Sequence, residues 1–138
     1  SQILADLGAD VIKVERPTGD DARGWGNKVT DNATTMFMTM NRNKKSVTVD
    51  MKSDAGRARM RALLANADIF LHNMRPGSLE KLGLDPAAVR AEWPRLIYCD
   101  IGAFGHIGPL KDQPGYEPSE ADLVSFQEEL KGLLDGQM

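Results

Sequence analysis

The sequence predicts an α/β fold: a mostly parallel sheet flanked by helices, followed by an extra amphipathic helix at the C-terminus. Three observations point there. Short apolar runs, "DVIKVE", "SVTVDM", "DIFLHN" and "RLIYCDIG", have strand length and recur along the chain. Stretches of helical period or helix-capping pattern separate most of them. The residues that close these runs are charged or polar, as at the carboxyl edge of a parallel sheet, where α/β proteins bind ligands.

The elements follow in order. "SQILADLG" opens in mid-helix, with Ile3, Leu4 and Leu7 on one face and Gly8 as a stop. A domain seldom starts there without a cap, so the chain is expected to be a fragment of a longer one. "DVIKVE" is a buried strand ended by Arg16 and Pro17. The polar, glycine-containing residues 18–34 are expected to form one long loop. Residues 35–40 form a short helix that turns Met36, Phe37 and Met40 inward, and "SVTVDM" is the second strand. A helix over 53–67 is capped by Ser53 or Asp54 and carries Met60, Leu63 and Leu64 as its apolar stripe. "DIFLHN" is the third strand, "RPGSLEKLGL" a turn and short helix. Asp85 and Pro86 start another helix by the rule of aspartate at the cap and proline in the first turn. "RLIYCDIG" is the fourth strand and 105–118 a punctuated loop. Residues 119–138 carry a capping-box start and Leu123, Phe126, Leu130, Leu133 and Leu134 at helical spacing. Two parts are therefore expected, 1–118 as the α/β part and 119–138 as a divergent helix and tail.

Composition narrows the function. With 41% hydrophobic and 27% charged residues in 138, the chain reads as one globular domain. A net charge of −3 argues against a general nucleic-acid binder. The single cysteine, Cys99, excludes an internal disulfide and fits a reducing cytoplasm. No apolar run approaches the ~18–20 residues of a membrane span, and the opening residues do not read as a signal peptide. His72, His106 and Cys99 share no ligand spacing, so no metal is expected. Cys99 lies inside a strand pattern, where a thiol is usually buried and inert. "GDDARGWG" follows no phosphate-loop pattern, and Trp25 within it reads equally as a stacking surface or a hydrophobic plug.

Cations are the remaining chemical signal. Arg16, Lys52 and Arg75 fall at or just after predicted strands, and Arg42, Lys44 and Lys45 crowd the entrance to the second. An arginine offers phosphate a planar fork, a lysine a mobile point charge. Such a set could neutralise a polyanionic small ligand. Solvated residues flanking strands against aggregation give the same pattern.

Several motifs in register then resemble one family. "QILADLGADVIKVERPTGDDAR", "NRNKKSVTVDMKSDAGR", "ADIFLHNMRPGSLEKLGL", "PRLIYCDIGAFGHIGP" and "QPGYE" are similar, in that order, to the amino-terminal part of class III CoA-transferases. That family includes formyl-CoA transferase, carnitine CoA-transferase and alpha-methylacyl-CoA racemase. The resemblance implies a Rossmann-like domain that receives coenzyme A. Its CoA contacts carry over to Arg16, to Val49, Asp50, Met51 and Lys52, and to Asn73, Met74 and Arg75. Further along they carry over to Lys81, and to Gly115 and Tyr116 beside the pantetheine. A nucleotide bearing a 3′-phosphate and a diphosphate needs several cations, and its adenine needs apolar cover such as Met51 or Met74.

The departures from the family shape the functional expectation. The family's first strand precedes the helix entered at Ser1. Its nucleophilic aspartate, which carries the acyl group as an anhydride, lies downstream of the "PGY" turn. Asp122 and Asp135 follow that turn here without the family's glycine-flanked context. Tyr116 and Glu117 stand where the racemase branch has its histidine. The resemblance thus implies a CoA-binding fragment that is inactive alone. The other expectation is a structural protein that forms a homo-oligomer, such as a dimer, through an open sheet edge and the C-terminal helix.

Overall fold

The computed structural model describes residues 1–102, 104, 105, 108, 109 and 111. The chain divides into two units: Ser1–His72 with Gly77–Asp100, and Asn73–Pro76 with the chain from Ile101 onward. In the first, α1 (Gln2–Asp6) leads into β1 (Val11–Glu15), then a 3-10 helix (Asp21–Gly24) and the hairpin strands β2 (Lys28–Thr30) and β3 (Ala33–Thr34). Next come α2 (Thr35–Asn41), β4 (Lys44–Thr48) and α3 (Asp54–Ala65). β5 (Ile69–His72), a second 3-10 helix (Glu80–Leu82), α4 (Pro86–Glu92) and β6 (Ile97–Asp100) complete it. In the second unit, the described residues contain no helix or strand; the Lys111 amide donates to the Gly108 carbonyl at 3.3 Å.

The α/β class holds, with two parallel strand pairs. β1 pairs with β4, Val11 opposite Lys44 and Glu15 opposite Thr48. β5 pairs with β6, Ile69 opposite Ile97 and His72 opposite Asp100, with α4 in the crossover. The hairpin β2–β3 is antiparallel.

Local chemistry explains the helices. The Ser53 hydroxyl accepts from the Gly56 amide at 3.0 Å and caps α3. The Asp85 carboxylate accepts from the Ala87 and Ala88 amides at 3.0 Å, and Pro86 opens α4 where its missing N–H costs nothing. α3 buries Met60 and Leu64, α4 buries Val89, and these close with Val49, Leu79, Leu84 and Leu96 into one core. Phe70 and Tyr98 pack against it edge to face, and the Tyr98 hydroxyl donates to the Leu84 carbonyl at 3.1 Å.

Some expectations change. Residues 18–34 are not one loop: Asp20 caps the 3-10 helix, and the buried Thr34 hydroxyl donates to the Ala22 carbonyl at 2.7 Å, tying the hairpin down. Of the three residues expected to turn inward, Met36 and Met40 are exposed and only Phe37 is half-buried, beneath the Arg23 guanidinium at 3.9 Å. α1 buries Ala5, leaving Ile3 74% and Leu7 80% exposed. Strand β4 starts two residues earlier than "SVTVDM" and takes in Lys44 and Lys45.

Candidate functional site

In a parallel pair the two carboxyl ends share one edge. For β1 and β4 that edge is Glu15 and Thr48, and the Val49 amide extends the pairing by donating to the Glu15 carbonyl at 2.8 Å. Two connections leave it. One runs from Arg16 to the 3-10 helix; the other, 49–53, enters α3.

Glu15 organises the first connection. Glu15 is 6% exposed, and its carboxylate accepts from Arg23 Nε and Nη2, from the Ser46 hydroxyl at 2.6 Å and from the Asp20 amide at 3.1 Å. These donors, Arg23 foremost, hold its pKa at about 2 against burial. Lys13 pairs with Asp20, so the loop is bound back to β1 twice. Arg16 is exposed, its Nε donating to the Gly19 carbonyl at 2.9 Å and its Nη2 pairing with Asp21.

The second connection is tighter. Val49 is buried in the core. The Asp50 carbonyl accepts from the Ser53 amide at 3.1 Å and the Ser53 hydroxyl at 3.0 Å, and Asp50 Oδ1 accepts from the Lys52 amide at 3.0 Å. A Cβ on Gly56 would lie 1.8 Å from the Asp50 carbonyl oxygen, so only glycine lets α3 start this close. Arg57 Nη1 donates to the Met51 and Lys52 carbonyls, at 3.3 and 2.9 Å. Lys52 itself is exposed, and its ammonium makes no hydrogen bond or ion pair among the described residues.

A pocket of about 360 Å³ opens beside this turn. Met51, Ala58, Leu82 and Leu84 supply its apolar lining, Asp54, Arg57 and Arg61 its charged rim. Leu82 belongs to the 3-10 helix that carries Lys81, which is exposed. Of the expected residues in the first unit, Arg16 follows the carboxyl end of β1, Val49, Asp50, Met51 and Lys52 form the turn after β4, and Lys81 precedes Leu82, which lines the pocket with Met51. Asn73, Met74 and Arg75 are exposed residues of the second unit. Gly115, Tyr116 and the helix expected over 119–138 lie outside the described residues, as does His106.

The other cation cluster is at the opposite edge. Lys44 faces Val11, at the amino ends of the strands. Arg42 grips Asp6 at 2.6 Å, Lys45 pairs with Asp10 at 2.8 Å, and Lys44 donates to the Met40 carbonyl at 2.8 Å. Burial, with Lys13 nearby, lowers the pKa of Lys44. Arg42, Lys44 and Lys45 thus sit at the amino edge of the pair, opposite the carboxyl edge where α/β sheets bind ligands, and the ligand reading for them is withdrawn.

Sequence reasoning missed Arg57, Arg61 and the Glu15–Arg23 pair. A glycine at the third position of a capped helix, followed by arginine, was the signal available for Arg57. At the carboxyl ends of β5 and β6, His72 Nδ1 lies 3.6 Å from Asp100 Oδ1, with the His72 ring edge-to-face on Tyr98. Cys99 is half-buried rather than buried. Among the described residues no cluster of His, Cys, Asp and Glu can hold a metal, and no helix is long and apolar enough to cross a membrane.

Comparison with known proteins gives this geometry its context. The model of CoA-transferase family III matches residues 1–125. Succinyl-CoA:glutarate CoA-transferase of Mus musculus is 43% identical over 134 residues, covering 96% of this chain and 30% of that protein. Succinate–glutarate CoA-transferase of Agrobacterium fabrum is 40% identical, covering 99% of the chain and 36% of the relative. Among solved structures, a CAIB/BAIF family protein from Brucella suis superposes with a TM-score of 0.78 at 42% identity, over 91% of this chain and 33% of the other. The chain therefore spans about a third of the length of the proteins it matches. With a family model matched over most of its residues, the chain belongs to CoA-transferase family III.

Proposed function

We propose that this chain forms the coenzyme A-binding portion of a class III CoA-transferase, whose activity is transfer of CoA between an acyl-CoA and a carboxylate. The observation that carries the reading is Lys52: an exposed ammonium without a partner among the described residues, on a turn fixed at the carboxyl edge of a parallel strand pair. A cation carried on a turn whose backbone is so held suits a phosphate of the nucleotide. Arg16 supplies a second cation, and Lys81 a third. Met51 gives the adenine apolar cover. Asn73, Met74, Arg75, Gly115 and Tyr116 complete the set by resemblance to the family.

Residues 1–138 taken alone are proposed to bind CoA without turning it over, because the family's nucleophilic aspartate follows the "PGY" turn in a context that Asp122 and Asp135 do not reproduce. Isothermal titration of CoA into the chain tests the binding. Saturable heat, competed by 3′,5′-ADP, is expected; no heat at high protein concentration contradicts it.

A second reading, self-association into a homo-oligomer, is favoured by the exposed Ile3 and Leu4 of α1, Leu7 just after it, and Ile12 and Val14 on β1. Sedimentation velocity across a hundredfold concentration range is expected to show a rising weight-average mass. A monomer throughout contradicts that reading.

A further inference from the structure

The turn 49–53 is more constrained than a surface connection requires. Asp50 receives the amides of Lys52 and Ser53, and Gly56 lets its carbonyl rest against the first turn of α3. Arg57 then closes the far side. One nitrogen, Nη1, donates to the carbonyls of both Met51 and Lys52, while Nη2 pairs with Asp54.

A cation in the first turns of a helix opposes the helix dipole, which favours anions there. Asp54 at the start of α3 offsets part of that cost. What Arg57 gains is the pair of carbonyls on one nitrogen while its second nitrogen holds Asp54, a division of labour that the single nitrogen of a lysine does not offer. The two carbonyls belong to the very residues that the CoA reading assigns to adenine and phosphate.

We propose that Arg57 is the positioning residue of the CoA phosphate site: it fixes the backbone of Met51 and Lys52 so that the Lys52 ammonium is presented ready to pair, without itself contacting the ligand. This rests on the CoA-binding reading above. A supporting residue of this kind raises affinity by removing the ordering cost from the binding step.

The test uses the 138-residue chain and 3′,5′-ADP as the probe, with wild type, Arg57→Ala, Arg57→Lys, Lys52→Gln and the core variant Val89→Ala. Affinity is measured at several salt concentrations, and amide hydrogen exchange is followed at Lys52, Ser53 and Leu64. Arg57→Ala is expected to weaken binding about three- to tenfold, the scale of one or two hydrogen bonds. Its salt dependence should match wild type, because no ligand charge pair is lost, whereas Lys52→Gln should flatten it. Arg57→Lys should recover only part of the affinity, and Val89→Ala should bind like wild type despite its lower stability. The Lys52 and Ser53 amides should exchange faster in Arg57→Ala while Leu64 keeps its protection.

An Arg57→Ala affinity within twofold of wild type overturns the inference while leaving the CoA reading intact. So does a flattened salt dependence, which makes Arg57 a direct contact, or a loss of protection at Leu64, which makes its role one of folding. Absence of 3′,5′-ADP binding by the wild-type chain overturns the CoA reading and this inference with it.

Discussion

Arg23 closes over Glu15 with two parallel hydrogen bonds, Nε to Oε2 at 2.7 Å and Nη2 to Oε1 at 2.8 Å. The pair joins β1 to the 3-10 helix, and Arg23 Nη1 reaches on to the Asn32 carbonyl in the hairpin at 2.7 Å. One buried carboxylate thus orders the whole segment that follows Arg16.

Stability should therefore fall in acid in a particular window. Glu15 has its pKa pushed down to about 2 from 4.5. A carboxylate with a lowered folded-state pKa stabilises fully above the unfolded value and loses that contribution as pH drops through the folded one. Between pH 4.5 and 2 the wild-type chain should lose up to about 3 kcal/mol from this group. Glu15→Gln should be less stable at pH 7 by about 2–4 kcal/mol, because it leaves Arg23 facing a neutral amide. Urea unfolding of both proteins across that range checks it: the two curves should converge in acid. A constant gap down to pH 2 refutes the assignment.

Gly56 offers a test in which two physical effects oppose each other. Alanine is the better helix former by about 1 kcal/mol, so an unconstrained Gly56→Ala would stabilise α3. With Asp50 O standing 1.8 Å from the new methyl, the turn must move instead. A net loss of at least about 2 kcal/mol is expected from chemical denaturation. A gain in stability would mean the turn and helix are not packed this closely.

The core and the α1 face should respond differently to the same chemistry. Leu84 is 2% exposed and belongs to the central cluster, so Leu84→Ala should cost about 2–5 kcal/mol. Ile3 is largely exposed, and Ile3→Ala should change monomer stability by no more than about 0.5 kcal/mol. If Ile3→Ala instead lowers the melting temperature in a concentration-dependent way, α1 is covered in a self-associated form.

What was legible in the sequence was what is local. Ser53 and the Asp85–Pro86 step announced α3 and α4, because a cap and its helix lie within a few residues. The apolar runs gave β1, β5 and β6 for the same reason. The hairpin was illegible: Lys28, Val29 and Thr30 are all exposed, so no alternation marks β2, and the hydrogen bond that fixes it joins Thr34 to Ala22. The cation cluster misled because its partners are distant in sequence. Arg42 meets Asp6 and Lys45 meets Asp10 only once β1 and β4 lie side by side in parallel register. That register also decides which lysine faces the ligand edge, and periodicity carries no information about it.

Lys45 and Lys52 belong to the same strand and turn, one at the amino edge and one beyond the carboxyl edge. Titration of CoA into Lys45→Gln and Lys52→Gln under identical salt conditions compares the two directly. If Lys52 holds a CoA phosphate, Lys45→Gln binds within about twofold of wild type and Lys52→Gln loses about tenfold or more, the scale of a charge-assisted contact. Equal losses in both variants, or none in Lys52→Gln, would contradict it.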